Sequence, residues 1–206
     1  YYLGYFFDVQ INFQHHEGGV MLIFNVVENS VIEEIVISGN QQVTEEKLKE
    51  LLGLEPGELL NINQLNRGRE KINNYYEQEG YILARVVNTE IKSDNELHLQ
   101  VEEGKINKIK ITGNDRTKDS VIRRELSLKP GDVFNAGQAR EDLRSIYNLG
   151  FFSEADINLE QVGQDSQAVN LEFIVKEQQT GTFNVGGGYN SSAGFTGLLD
   201  IEERNL

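Results

Sequence analysis

Apolar positions along the chain fall into short blocks of two periods, and the blocks follow a fixed order. Residues 31–37 form a β-branched run, ended by the turn residues Gly39 and Asn40. Leu48, Leu51 and Leu52 come next at helical spacing. Ahead of them stands Thr44 as a cap, with Glu45 and Glu46 placed favourably against the helix dipole. Pro56 and Gly57 suit the centre of a type II turn, where glycine takes the positive φ. Asn61 with Gln64 reads as a capping box. Leu65, Ile72 and Tyr75 or Tyr76 then line one side of a second helix, which stops at Gly80. Two strands close the block, at about 82–91 and at 97–101, the latter with clean alternation. The order β-α-α-β-β predicts an α+β unit, a three-stranded sheet with one face covered by two helices.

The block repeats. Ile37, Ser38, Gly39 and Asn40 return as Ile111, Thr112, Gly113 and Asn114, 74 positions on. At the same offset Pro56 and Gly57 return as Pro130 and Gly131, and Asn61 and Gln64 as Asn135 and Gln138. Self-similarity at a constant offset marks tandem units. In the other direction Leu3, Gly4, Tyr5 and Phe6 match Leu149, Gly150, Phe151 and Phe152, so residues 1–30 read as the back half of another copy. The expected division is 1–30, 31–104, 105–178 and 179–206. The complete copies should share one backbone, with Gly80 and Gly150 just past a helix end at positive φ. They should differ mainly in the second helix, because the step from Asn135 to Gly150 is four residues shorter than that from Asn61 to Gly80, about one turn. The aromatics after the three glycines, Tyr5, Tyr81 and Phe151, are expected to pack each helix end onto the core.

Residues 179–206 leave the pattern. Phe183, Val185 and Tyr189 alternate with polar residues and with Gly186, Gly187 and Gly188; after a turn near 190–194 the chain runs out again through Phe195, Leu198 and Ile201. Period-two alternation with glycine and aromatics marks strands of an outer-membrane β-barrel. Extended backbone needs hydrogen-bond partners. The expected partner is a free edge of a repeat, with self-pairing as a hairpin and an irregular tail as the alternatives.

Composition narrows the chemistry. The chain has no cysteine, which excludes disulfides and thiolate metal sites. No run of 18 apolar residues is present, so no helix spans a membrane. The net charge is −14, with 7 Lys and Arg against 15 Asp and Glu in residues 31–104; such a surface repels phosphate backbones and argues against nucleic acid as a partner. His15 and His16 beside Glu17 fall on a hairpin loop, and His98 alternates with Leu97 and Leu99 and should face solvent. Gly186 to Gly188 lack the Lys and Ser or Thr of a phosphate loop, and no nucleophile elbow occurs. No catalytic, cofactor-binding or metal residues are expected, no cofactor is implied, and the chain does not read as an enzyme. Glu33 with Glu34, and Glu102 with Glu103, read as charges bracketing strands.

The repeat resembles the POTRA domain, the polypeptide-transport-associated unit. The likeness rests on the β-α-α-β-β order, the strand ends at Asn40 and Asn114, the Pro-Gly turns and the Leu-Gly-aromatic boundaries quoted above. Such repeats followed by Gly186, Gly187, Gly188 and Tyr189, and by Glu203, Asn205 and Leu206, resemble the BamA family of outer-membrane protein assembly factors. With three repeats in view, one of them partial, the chain is similar to cyanobacterial and chloroplast relatives. The resemblance implies tandem units facing the periplasm, or the intermembrane space of an organelle. They would be joined to an outer-membrane β-barrel whose first strands begin near Thr182 and are truncated at Leu206. It implies unfolded outer-membrane β-barrel precursors and accessory assembly subunits as partners, with the outer membrane reached through the barrel. An extended peptide would join a free sheet edge as a further strand, held by main-chain bonds that do not read sequence. In the family the second strand of the unit supplies that edge. This maps to 82–91 and 153–159, with Ile82, Ala84, Val86, Asn88, Ser153, Ala155 and Ile157 as candidate residues. A two-partner-secretion or protein-translocation pore of the same superfamily is the alternative.

Overall fold

In the computed structural model, residues 3–16, 18–163, 168–179, 181–192 and 194–202 are described. The chain divides into two compact units, with the boundary in the sequence between Gly104 and Lys105. The first contains β1 (Phe6–His16), β2 (Gly19–Glu28), β3 (Glu34–Ser38), α1 (Glu45–Leu52), α2 (Ile62–Gln78), β4 (Arg85–Ile91) and β5 (Glu96–Glu102). Strands β1 and β2 make an antiparallel hairpin, and the second sheet has the order β3-β5-β4, with β3 parallel and β4 antiparallel to β5. Ile35 and Ile37 of β3, Leu97, Leu99 and Val101 of β5, Leu48 and Leu52 of α1, and Leu65, Ile72 and Tyr76 of α2 form its core. The period-two and period-3.6 apolar positions thus meet between one sheet face and two helices.

The second unit repeats this plan with β6 (Ile106–Thr112), α3 (Asp119–Arg123), α4 (Ala136–Asn148), β7 (Phe152–Gln161) and β8 (Val169–Glu177), followed by β9 (Thr182–Asn190) and β10 (Gly194–Glu202). Its sheet order is β6-β8-β7, again parallel then antiparallel. The closing strands β5 and β8 are therefore central, which accounts for their apolar composition.

Local chemistry follows the sequence closely. Thr44 accepts from Lys47 N at 3.4 Å to cap α1, and Gly53 ends that helix at φ 66°. The Pro-Gly turns close with Glu58 N donating to Glu55 O and Asp132 N to Lys129 O, Gly57 and Gly131 taking φ of 91° and 95°. Each turn also pins the entry to its repeat. Gly57 N donates to Ile32 O, and Gly131 N to Ile106 O, both at 2.7 Å. Gly80 and Gly150 lie just past α2 and α4 at φ 89° and 73°, and α4 has 13 residues against 17 in α2, the expected turn of difference. Tyr81 packs against the core with its ring edge-on to Tyr76, 6.2 Å between centroids, as expected of it; Phe151 is half-buried and Tyr5 is exposed.

Three expectations need correction. The capping box is half-built, because Asn61 accepts from Asn63 N and Gln64 N but the Gln64 amide turns to the carbonyl of Gly53. The Asn61 side-chain NH₂ donates to Leu3 O at 3.0 Å, and Ile62 N donates to Gly4 O, fastening the end of the β1–β2 hairpin to the start of α2. The repeats also differ in the first helix, with five residues in α3 against eight in α1. One position explains both packings. A β-carbon on Gly68 would overlap the carbonyl of Leu52, so bare glycine lets α2 press its backbone onto the end of α1. At the matching position of α4 stands Asp142, whose carboxylate captures Ser127 N and Leu128 N in place of helical bonds. Third, β9 pairs with β10 and not with a repeat edge. Closing a short local loop costs less chain entropy than reaching a distant edge. The motif at Glu203, Asn205 and Leu206 lies outside the described residues, as does Glu17.

Candidate functional site

Strands β4 and β7 each have one neighbour in their sheet, so one side of each backbone is open. In an antiparallel pair, residues alternate between those that bond the partner strand and those that direct N–H and C=O away from it. Lys92 N donates to Glu96 O, which puts Lys92, Glu90 and Asn88 in the pairing phase and turns Ile91 and Thr89 outward. Val162 N donates to Ala168 O, so in β7 the residues Ala155, Ile157, Leu159 and Gln161 face outward.

This sorts the candidate residues. Ile82 and Ala84 precede β4, and Ala84 gives its N–H to Tyr81 O in a turn. The sequence extended the strand too far because residues 82–84 are apolar enough to continue the pattern. Val86 faces outward, but its N–H is taken by Asn73 Oδ1 of α2 at 3.0 Å. A bulge between Val86 and Asn88 shifts the phase, so Asn88 bonds β5 while Thr89 and Ile91 become the outward residues. Ser153 sits in a second bulge, its hydroxyl donating to Lys176 O. Ala155 and Ile157 direct their N–H and C=O outward, and Leu159 and Gln161 do the same. Bulges leave no mark in hydropathy, which is why the phase was missed on β4.

Ile91 also borders a cavity of about 650 Å³ in the first unit, walled by Phe7, Val27, Leu60 and Ile62 and rimmed by Glu28 and Lys92. Its size is in the range that holds a small ligand or several side chains.

Carboxylates just past or at the ends of β5 and β8 hold the loops that follow β3 and β6, the opposite edge strands. Glu103 is buried, and its Oε1 accepts from Gln41 N, Gln42 N and the Tyr76 hydroxyl at 2.8–2.9 Å. Burial, and then this carboxylate, push the Tyr76 phenol far above its usual range. Glu177, one offset later, accepts from Arg116 N and Thr117 N. Burial works against its charge, but the Thr117 and Arg116 N–H groups outweigh it and hold Glu177 below the ordinary value of 4.5. The reading of Glu103 as a strand-bracketing charge is thus corrected: it clamps a loop. A depressed folded pKa stabilises above the unfolded value and loses that contribution as pH falls. Amide exchange of Arg116 and Thr117 is therefore expected to quicken, beyond its intrinsic pH dependence, as pH drops below about 4.5. A Glu177→Gln chain should lack this step, and an identical step in both would sink the assignment.

His98 lies on the sheet face away from the helices, half-buried, with Nε2 2.7 Å from Glu96 Oε2. His15 and His16 end β1 and are exposed. Among the described residues no three His, Asp or Glu are grouped to hold a metal, and no helix is long and apolar enough to cross a membrane.

Each complete unit has the order β-α-α-β-β, with its second strand at one edge of a three-stranded sheet. The POTRA family model, described as a surface antigen variable number repeat, matches residues 30–104 and again 105–178. The chain belongs to the POTRA family. It is 33% identical over 202 residues to the outer membrane protein assembly factor BamA of Neorickettsia risticii, covering 94% of this chain and 27% of that protein. To the chloroplastic outer envelope protein 80 of Oryza sativa subsp. japonica it is 29% identical over 203 residues, covering 91% and 30%. The N-terminal domain of Omp85 from Thermosynechococcus elongatus superposes with a TM-score of 0.76 at 34% identity, covering 87% of this chain and 80% of that one. POTRA1-3 of the periplasmic domain of Omp85 from Anabaena gives 0.70 at 27%, covering 85% and 77%. The chain spans less than a third of the length of the first two relatives. The expected POTRA repeat and its likeness to BamA-type assembly factors hold.

Proposed function

We propose that this chain is the periplasm-facing part of an outer-membrane β-barrel assembly factor. It binds unfolded barrel precursors or accessory subunits by strand addition and guides them to the membrane. The observation that carries this reading is the outward backbone of the antiparallel edge strands β4 and β7, at Thr89 and Ile91 and at Ala155 and Leu159. Each added main-chain bond contributes only about 0.5–1.5 kcal/mol, so a few of them hold a client loosely enough to release it. The cavity beside Ile91 offers a seat for an apolar side chain of the added strand.

The division of the chain belongs to the same proposal. Residues 31–104 and 105–178 are complete repeats, and residues 1–30 are the back half of another. In support, Val9, Ile11 and Phe13 of β1 face Val26, Phe24 and Leu22 of β2 on one apolar face, the composition that helices cover in the complete repeats. Residues 179–206 are the opening of a membrane barrel. Here Phe183, Val185 and Tyr189 lie opposite Ile201, Leu199 and Phe195 on one face, while Thr182, Asn184, Gly186 and Gly188 line the other. An apolar outer and a polar or small inner face suit a barrel wall.

The test is a titration of the whole chain with a labelled peptide copied from residues 182–190, read by amide exchange. Slowed exchange at Thr89 and Ile91 or at Ala155 and Leu159 is expected. Protection confined to β3 and β6, or none, would overturn the reading.

A further inference from the structure

The two open edges are not equally open. On β4 the outward N–H of Val86 is filled by Asn73, a half-buried side chain fixed on the packed helix α2. On β7 the outward N–H of Ile157 is filled by the carboxylate of its own neighbour, with Asp156 Oδ1 at 2.8 Å. Asp156 is exposed and stands on no helix, so only its own rotamers hold it there.

We propose that Asp156 is a removable guard on the β7 edge. Its carboxylate occupies the central outward donor, splitting that edge into Ala155 on one side and Leu159 on the other. An incoming strand must displace it to bond continuously. This rests on the strand-addition reading above and adds to it a residue that sets edge selectivity. An edge strand whose donors are satisfied from within is protected against unwanted pairing. Masking one donor with a flexible side chain leaves the edge closed to weak encounters and open to a strand long enough to bond on both sides. The filled position on β4 differs, because Asn73 blocks only the end before the bulge. Thr89 and Ile91 beyond it remain the readier site. Short peptides should therefore add first at β4, and β7 should accept them once Asp156 is removed.

The experiment compares the intact chain with Asp156→Ala and Asp156→Asn, using the same labelled peptide of residues 182–190. Affinity is read by fluorescence polarisation and location by amide exchange. Alanine frees one donor, so binding at β7 should tighten roughly fivefold, with new protection from Ala155 to Leu159. Asparagine keeps an acceptor oxygen and removes the charge, so it should bind like the parent chain. If asparagine tightens binding as much as alanine, the effect is charge repulsion and the guard is wrong. Unchanged or weaker binding in Asp156→Ala, with no new protection from Ala155 to Leu159, overturns it too. Absence of protection at either edge in all three chains would instead remove the strand-addition reading itself. Asp156 is exposed, and circular dichroism of the three chains should coincide; a lost fold in Asp156→Ala would make the residue structural and likewise overturn the guard.

Discussion

Glu103→Ala is expected to lower the stability of the first unit by about 3 kcal/mol, since the buried Tyr76 hydroxyl and the N–H groups of the exposed residues Gln41 and Gln42 lose their acceptor at once. The carboxylate lies at the end of β5, and Gln41 N, Gln42 N and Tyr76 Oη all converge on Oε1. Tyr76 is among the largest fully buried side chains of the unit, so its hydroxyl has no water to turn to. Glu103→Gln is the informative partner. Glutamine keeps the single oxygen that does the accepting, and Oε2 has no hydrogen-bond partner among the described residues, so the amide nitrogen displaces nothing. That variant should lose about 1 kcal/mol, and Tyr76→Phe, which removes one of three donors, a similar amount. Urea unfolding of the whole chain measures the loss, and amide exchange in β5 against β8 assigns it to the first unit. Equal losses for alanine and glutamine would show that charge, not geometry, holds the loop.

Much of this fold was legible because its punctuation is chemical. Glycine past a helix end, proline and glycine in a turn, and asparagine before a helix each have one strong local preference, and they recur 74 positions apart. The turn by which α4 is shorter than α2 followed from counting between them; the short α3 did not. What stayed hidden depends on where a side chain goes once the chain is folded. Glu103 looks like any acid at a strand end, and only burial against the loop at Gln41 gives it a role. The bulge beside Val86 changes which residues face outward, yet Val87 and Asn88 are ordinary strand residues. The same holds for the edges: the alternation that located β7 correctly says nothing of a carboxylate folding back onto Ile157 N. The expected span 153–159 falls within β7, whereas 82–91 begins three residues ahead of β4. Sequence missed both side chains that mask these edges.

Asp142→Ala should cost the second unit about 3 kcal/mol, and here the asparagine variant should be nearly as damaging. Both carboxylate oxygens are used, Oδ1 by Ser127 N at 2.8 Å and Oδ2 by Leu128 N at 3.2 Å. Asparagine presents one oxygen and one NH₂, so one of the two N–H groups would face a donor. Asp142 and Leu128 are both buried, which leaves no solvent route for an orphaned Leu128 N; Ser127 is exposed, but its N–H would otherwise be the one to face the NH₂. The first repeat shows why the acid is needed. There α1 runs to Leu52 and its backbone lies directly under Gly68, whereas α3 ends at Arg123 and leaves a stretch of loop to be held. Asp142→Gly, which copies the first repeat, should be worse than alanine by about 1 kcal/mol, because it adds the helix cost of glycine without the partner backbone. Gly68→Asp should fail for the opposite reason, its β-carbon overlapping the Leu52 carbonyl. Urea midpoints of the four chains, with exchange rates of Ser127 and Leu128, decide the matter. Asparagine within about 0.5 kcal/mol of the parent, the spread of ordinary surface changes, would mean that the two bonds do not stabilise this loop.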